Sequence, residues 1–179
     1  MQLTLIRHLP TEWNKKTWLQ GRRDIGISLP SPDIRNKILD NKSYLCQLEP
    51  FDLILASTLK RTQETANQYG YIPQTECLLN ELDFGPFEGK PKSDLIGQLG
   101  EAWEEHPSSL VLGEKVSALE NRIHRFLEKY SEVPNLLVFG HGAWIRALCS
   151  YWRYGHINKM NQLIIENNQC LTLEFKTLS

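Results

Sequence analysis

The chain has 179 residues, 41% of them hydrophobic and 23% charged, proportions ordinary for a soluble globular domain long enough to bury a two-sided core. A formal net charge of -1 at pH 7 provides no global field for nucleic acid, and no apolar run approaches the length of a membrane span. The N-terminal apolar run is too short for a signal peptide, and Cys46, Cys77, Cys149 and Cys170 form no Cys-x-x-Cys pair, so a reducing, cytoplasmic setting without a zinc site is expected, with three of the four thiols packed as small hydrophobes.

The opening stretch, Leu3 to Asn14, begins as a buried strand, stops at Arg7-His8, and meets Pro10, which bars a central strand from continuing. In an open α/β sheet, groups just past the carboxyl end of a strand meet the ligand, so Arg7 offers a planar cation suited to phosphate and His8 a neutral nitrogen nucleophile. A polar loop follows from Thr11 to Ser31, and a helix from Asp33 to about Leu48. Phe51 to Ala56 reads as the next strand, closed by Ser57-Thr58, either of which can cap a helix from Leu59 to about Tyr69. Arg61 then falls in the first helical turn, where the dipole favours anions.

Thr75 to Leu78 reads as a short strand leading into an acidic and aromatic loop, Leu79 to Gly89, that contains Glu81. Helical periodicity covers Lys92 to Glu105 and Glu114 to Tyr130. The opening pattern then recurs: Asn135 to Gly140 is a strand, His141-Gly142 stands at its end, and Ala143 to Tyr154 is the helix beyond. Apolar segments Leu163 to Ile165 and Cys170 to Phe175 are expected to finish the sheet near an edge. With no repeat, linker or low-complexity tract, the reading is one α/β domain over residues 1 to 179, a three-layer sandwich with a mostly parallel central sheet flanked by helices.

Each polar group has a bland alternative: Arg61 as a surface helix charge, His141 as a satisfied core histidine, Glu81 as a solvated loop acid. Three strand ends carrying groups suited to one anion outweigh those alternatives taken together. Glycines at 140 and 142 also let backbone N–H groups approach a ligand at a helix N-terminus. The five histidines, His8, His106, His124, His141 and His156, show no metal-binding spacing, so no metal is expected, and His106, His124 and His156 are assigned to the surface or an interface. Arg146 is assigned to a structural ion pair. Of Trp13, Trp18, Phe84, Phe87, Trp103 and Trp144, most are expected in core or lid packing and some in a pocket wall. The cluster Lys15, Lys16, Arg22 and Arg23 is assigned to a solvated face.

Arg7-His8-Leu9-Pro10-Thr11 with Asn14 resembles the Arg-His-x-x-Thr opening of the histidine phosphatase superfamily, also called phosphoglycerate mutase-like. Ser57 to Ala66 is similar to that family's second motif, Glu81 to Gly89 to its acid loop, Gly113-Glu114 to its third helix start, and His141 to Leu148 to its closing motif. The matches fall in family order across nearly the whole chain. Leu9 stands where glycine is usual, Gly140 where Ser or Thr precedes the second histidine, and Pro30 to Lys42 lacks the usual Leu-Thr-x-x-Gly helix start.

The resemblance implies catalytic roles for His8, Glu81 and His141 and substrate binding by Arg7, Asn14, Arg61 and Gly142. His8 would attack phosphorus to give a phosphohistidine, its other ring nitrogen held by a backbone acceptor. Arg7 and Arg61 would grip phosphate oxygens, His141 would donate when protonated, and Asn14 would add a neutral donor. Glu81 would protonate the leaving oxygen and later activate water, with Asp83 and Glu88 as rivals. The expected activity is a metal- and cofactor-independent phosphomonoesterase acting on a small phosphorylated metabolite, α-ribazole phosphate and sugar phosphates being candidates. Neither nucleic acid nor membrane is expected as a partner, and self-association into a homodimer is left open. The alternatives are a phosphoglycerate-mutase-type phosphotransferase and a non-catalytic phosphate-binding protein.

Overall fold

Alternating burial on each strand decides the layers, because successive side chains of a strand point to opposite faces. A computed structural model describes residues 1–175. In β1 (Gln2–Arg7) Leu3 and Leu5 pack into one apolar cluster and Ile6 into a second; in β4 (Asn135–Gly140) Leu136 and Val138 join the first, Leu137 and Phe139 the second. With β2 (Leu53–Ala56), β3 (Gln74–Thr75) and β5 (Cys170–Glu174) they form one sheet in the order β3-β2-β4-β1-β5, parallel except for the β1–β5 pair. The first cluster buries α4 (Lys92–Glu105), α5 (Val116–Lys129) and α6 (Gly142–Tyr154); the second buries α2 (Pro32–Leu48) and α3 (Lys60–Gln68). The expected three-layer α/β sandwich is therefore the observed architecture.

Register brings the site together. Arg7 pairs with Gly140 and Ala56 with Phe139, so the three strands that carry the motifs stop level with one another at their carboxyl ends. Helix α2 forms although its start lacks the family's usual pattern: Ser31 accepts from the Ile34 N–H at 3.3 Å, and Pro32 occupies the first helical position. A single turn, α1 (Glu12–Lys15), interrupts the loop after β1, held by a reciprocal capping box between Thr11 and Asn14.

Several sequence expectations are corrected. Thr75 to Leu78 is a strand only at its first residue; Cys77–Leu79 turns into a 3₁₀ helix once Glu76 accepts from the Leu78 N–H. Leu163 to Ile165 joins no strand, its backbone following the 3₁₀ turn Met160–Gln162, with Ile165 buried and Ile164 exposed. Neither Ser57 nor Thr58 is the N-cap of α3. Leu59 holds that position without a side-chain hydrogen bond, and Ser57 turns its hydroxyl elsewhere. Cys46 and Cys77 are exposed and only Cys149 and Cys170 are partly buried, all four as free thiols, so two rather than three cysteines sit in apolar packing.

Candidate active site

A cavity of about 270 Å³ opens at the carboxyl ends of β1, β2 and β4. Arg7, His8, Asn14, Arg61, Glu81 and Gly142 all line it, so six of the seven residues singled out from the sequence share one wall system. The seventh, His141, is fully buried directly behind it, its ring centroid 5.4 Å from that of His8 in an edge-on arrangement.

The His8 ring is fixed by its own turn of chain. Nδ1–H donates to the Leu9 carbonyl at 2.7 Å, which leaves Nε2 as the nitrogen carrying a free lone pair. Burial, with the Arg61 and Arg7 charges adding to it, holds His8 well below the ordinary histidine value, so the ring is neutral at pH 7. His141 is depressed in the same way by burial, Arg61, His8, Arg7 and Arg22. Its Nε2 lies 2.7 Å from Ser57 Oγ, and its buried Nδ1 has no partner.

The two arginines are held by carbonyls rather than carboxylates. Arg7 donates from Nη1 to Ile165 O at 2.6 Å, and Arg61 donates from Nη1 to Arg23 O and from Nη2 to Gly21 O, both at 2.7 Å. Gly21 has φ +51°, where a side chain would strain the backbone and collide with Glu88. Each guanidinium keeps a buried Nε–H with no protein partner. Buried unpaired donors are uncommon and costly, and here two of them stand beside a nucleophile, as an anion-binding site requires. Burial pushes both down to about 10, so both are cations at neutral pH. At Gly142 the packing is tight: a Cβ there would sit 3.1 Å from Arg7 Cζ and Nε, so the guanidinium would have to shift to admit a side chain.

Glu81 occupies the N-terminus of α6. Its Oε2 accepts from the Ala143 N–H, and its Oε1 from the Trp144 and Leu82 N–H groups, all at 3.0 Å. Its rivals face elsewhere. Asp83 Oδ1 accepts from Gly85 N–H, and Glu88 Oε1 accepts from the Arg22 and Phe84 N–H groups while its Oε2 pairs with Arg23; neither lines the cavity. Asn14 commits Oδ1 to the Thr11 and Asn167 donors, which leaves its amide NH₂ as the available group. Arg22, assigned from the sequence to a solvated face, instead donates from Nε to Glu81 O at 2.6 Å, and so braces the acid loop.

Sequence reasoning missed Lys92, Arg146, Gln20 and Asn167 as cavity residues. Arg146 was expected in a structural ion pair; among the described residues it has no carboxylate within 4 Å, only Asn161 Oδ1 at 3.5 Å. Its position four residues after Gly142, about one turn along α6 and so on the same face, is the signal that could have placed it near the site. Of the aromatics, Trp18, Phe84 and Trp103 line the cavity, Trp144 and Phe87 lie in the core, and Trp13 packs on Trp18. His106, His124 and His156 are exposed. Among the described residues no group of three or more His, Cys, Asp or Glu is placed to hold a metal ion, and no helix is long and apolar enough to cross a membrane.

Known proteins resemble this arrangement. The chain is 29% identical to an uncharacterized phosphatase, PhoE, of Bacillus subtilis, over 96% of this chain and 86% of that one. It is 27% identical to a putative phosphoserine phosphatase 2 of Hydrogenobacter thermophilus, over 82% of this chain and 76% of that one. Among solved structures, a putative alpha-ribazole-5'-P phosphatase from Escherichia coli K-12 superimposes with a TM-score of 0.77 at 25% identity, covering 96% of this chain and 89% of the other. The model of the histidine phosphatase superfamily (branch 1) matches residues 3–177, so the chain belongs to that family, and its phosphatase-named relatives and structural neighbours support a phosphatase.

Proposed function

We propose that the chain hydrolyses a small phosphorylated metabolite through a phosphohistidine on His8. The observation that carries this reading is the His8 Nδ1–H bond to Leu9 O, which presents a neutral Nε2 in a cavity walled by two guanidinium groups with unpartnered Nε–H donors. In the first step the Nε2 lone pair forms a bond to phosphorus as the bond to the ester oxygen breaks. Glu81, protonated at that moment, gives its proton to the departing oxygen, and the alcohol leaves. Of its two oxygens, Oε2 has one backbone donor and Oε1 two, so Oε2 is the freer to carry that proton. In the second step the Glu81 carboxylate takes a proton from water as the water oxygen bonds to phosphorus. The P–N bond breaks, its electron pair returns to Nε2, and inorganic phosphate is released.

Arg7 and Arg61 stabilise the equatorial oxygens, where the transition state spreads its charge. Asn14 adds a neutral donor, and His141, once protonated on Nδ1, adds a charged one. The relatives' names concern phosphoserine and α-ribazole phosphate, both small phosphomonoesters, which fits a cavity of about 270 Å³. A panel of phosphorylated metabolites assayed in excess chelator tests the reading. Turnover by the wild type and its loss in His8→Ala are expected; turnover that needs added zinc or magnesium contradicts it. A mutase reading differs in one measurable respect: transfer that depends on a bisphosphorylated primer.

A further inference from the structure

Gly113, Glu114 and Arg122 line no part of the cavity, yet all three converge on the loop that carries Glu81. Gly113 and Glu114 lie just before α5, and Arg122 belongs to that helix. The Gly113 N–H donates to Asp83 O at 3.0 Å, and Glu114 Oε1 accepts from the Asp83 N–H at 3.1 Å, so both polar groups of that peptide unit's neighbourhood are held. The same Glu114 oxygen accepts from Arg122 Nη2 at 2.8 Å, while Arg122 Nη1 donates to the carbonyls of Leu78 and Asn80. Arg22 adds its bond to Glu81 O and an ion pair to Glu114 at 3.5 Å. The chain on both sides of Glu81 is therefore tied, at residues 78, 80, 81 and 83, to one carboxylate and two guanidinium groups.

The Arg122 and Glu114 side chains are only 14% and 19% exposed, so each is costly to leave without the other. Three acceptors in different directions call for the planar fork of arginine, which a lysine ammonium does not reproduce. Burial lowers the Arg122 guanidinium from its ordinary value, and the carboxylates that oppose the shift are Glu114 and Glu81. The cation is thus close enough to feel the acid, although it bonds only to the acid's neighbours.

The backbone matters most when Glu81 carries its proton. The Leu82, Ala143 and Trp144 N–H groups suit a carboxylate, which accepts on both oxygens. In the first step of the proposed reaction one oxygen is protonated and is a weaker acceptor, so the grip of α6 loosens as the proton must meet the ester oxygen. What then keeps the carboxyl aimed is the fixed chain on either side of it.

We propose that Arg122, held by Glu114, is a positioning residue for Glu81, setting the loop backbone so that the protonated carboxyl reaches the departing oxygen. This role rests on the reading of Glu81 as the acid, and it leaves the phosphoryl grip of Arg7 and Arg61 untouched.

The test measures single-turnover phosphorylation of the full chain by p-nitrophenyl phosphate and by the alkyl phosphate that the wild type turns over best. Vanadate binding reports the phosphoryl grip, and far-UV circular dichroism reports folding. Arg122→Met is expected to slow the alkyl ester by about 10–10²-fold, the scale of a small misplacement, with vanadate affinity unchanged. The nitrophenyl ester should slow by less than about threefold, because its phenolate leaves without a proton. Arg122→Lys keeps the charge without the fork and should slow the alkyl ester nearly as much; full activity in it overturns positioning in favour of charge alone. Glu114→Gln should show the same selectivity in milder form, and with Arg122→Lys it carries the test if Arg122→Met does not fold. Added to Glu81→Gln, Arg122→Met should slow the alkyl ester little further, because it acts through that residue. Equal slowing of the two esters, weakened vanadate binding, or full additivity with Glu81→Gln each overturns the proposal. Failure of the acid reading itself shows separately, as equal slowing of both esters by Glu81→Gln alone, and takes the positioning role with it.

Discussion

Ser57 Oγ lies 2.7 Å from His141 Nε2, and this contact decides which nitrogen of His141 is left for a ligand. The Thr62 hydroxyl is 2.9 Å from Leu59 O and can only donate to that carbonyl, so its oxygen accepts from Ser57 O–H at 2.9 Å. Ser57 Oγ in turn accepts from the Leu59 N–H and from His141 Nε2–H. The neutral ring therefore keeps its bare lone pair on Nδ1, and becomes a donor there only by taking up a proton. Ser57→Ala is expected to lower kcat/KM for p-nitrophenyl phosphate by roughly tenfold, the loss of one hydrogen bond to a group that carries charge in the reaction. Vanadate binding to the wild type, measured in buffers of different ionisation enthalpy, is expected to take up a proton, and that uptake should shrink in His141→Asn.

Glu81 both caps α6 and lines the cavity, so its substitution separates stability from chemistry. Glu81→Gln keeps one acceptor oxygen and is expected to cost about 1 kcal/mol in unfolding, the scale of a lost cap. Phosphorylation of the enzyme by an alkyl phosphate should slow by about 10²–10⁴-fold, but far less by p-nitrophenyl phosphate, whose phenolate leaves without a proton. Burst kinetics isolates this step, and equal slowing with both esters would remove Glu81 from the acid role.

Arg61 joins the phosphoryl site to the loop that carries Gly21 and Arg23. Arg61→Ala is expected to weaken inorganic phosphate or vanadate binding by at least about tenfold and to lower the melting temperature as well, because the buried Gly21 carbonyl and the partly buried Arg23 carbonyl lose their donor. A variant with wild-type anion affinity, altered only in its choice of leaving group, would contradict the role.

Burial makes the two site histidines acid-sensitive. In the unfolded chain they bind protons below about pH 6.5, while the folded protein holds both pKa values well below that. The unfolded state then binds more protons, so stability is full above the unfolded value and is lost progressively as pH falls through it. Chemical denaturation at a series of pH values should show this decline, and the slope should be shallower in His8→Ala/His141→Asn. An unchanged slope would count against the burial of these rings in solution.

The sequence made the strand ends legible because each motif combines a buried apolar run with a polar stop, a pattern that local chain direction alone produces. Register then brought Arg7, Arg61 and His141 to one edge, as the strand-end reading requires. Arg146 and Lys92 were not legible in the same way. Their place depends on how α4 and α6 close over the sheet, which periodicity does not encode. Ser57 misled for another reason: its hydroxyl fits a helix cap, but tertiary contact with His141 claims it. Ile165 was read as strand from its apolarity, whereas its carbonyl holds Arg7 and its neighbours pair with no strand.

The central claim is that Nε2 of His8 becomes covalently phosphorylated. Rapid acid-free quenching during turnover of a ³²P-labelled ester, followed by peptide mapping, tests it most directly. The account predicts an acid-labile, base-stable phosphate on the peptide containing His8, absent from His8→Ala and accumulating when the second step is slowed. Label on the His141 peptide, or turnover with no phosphoenzyme while His8→Ala stays active, would contradict it.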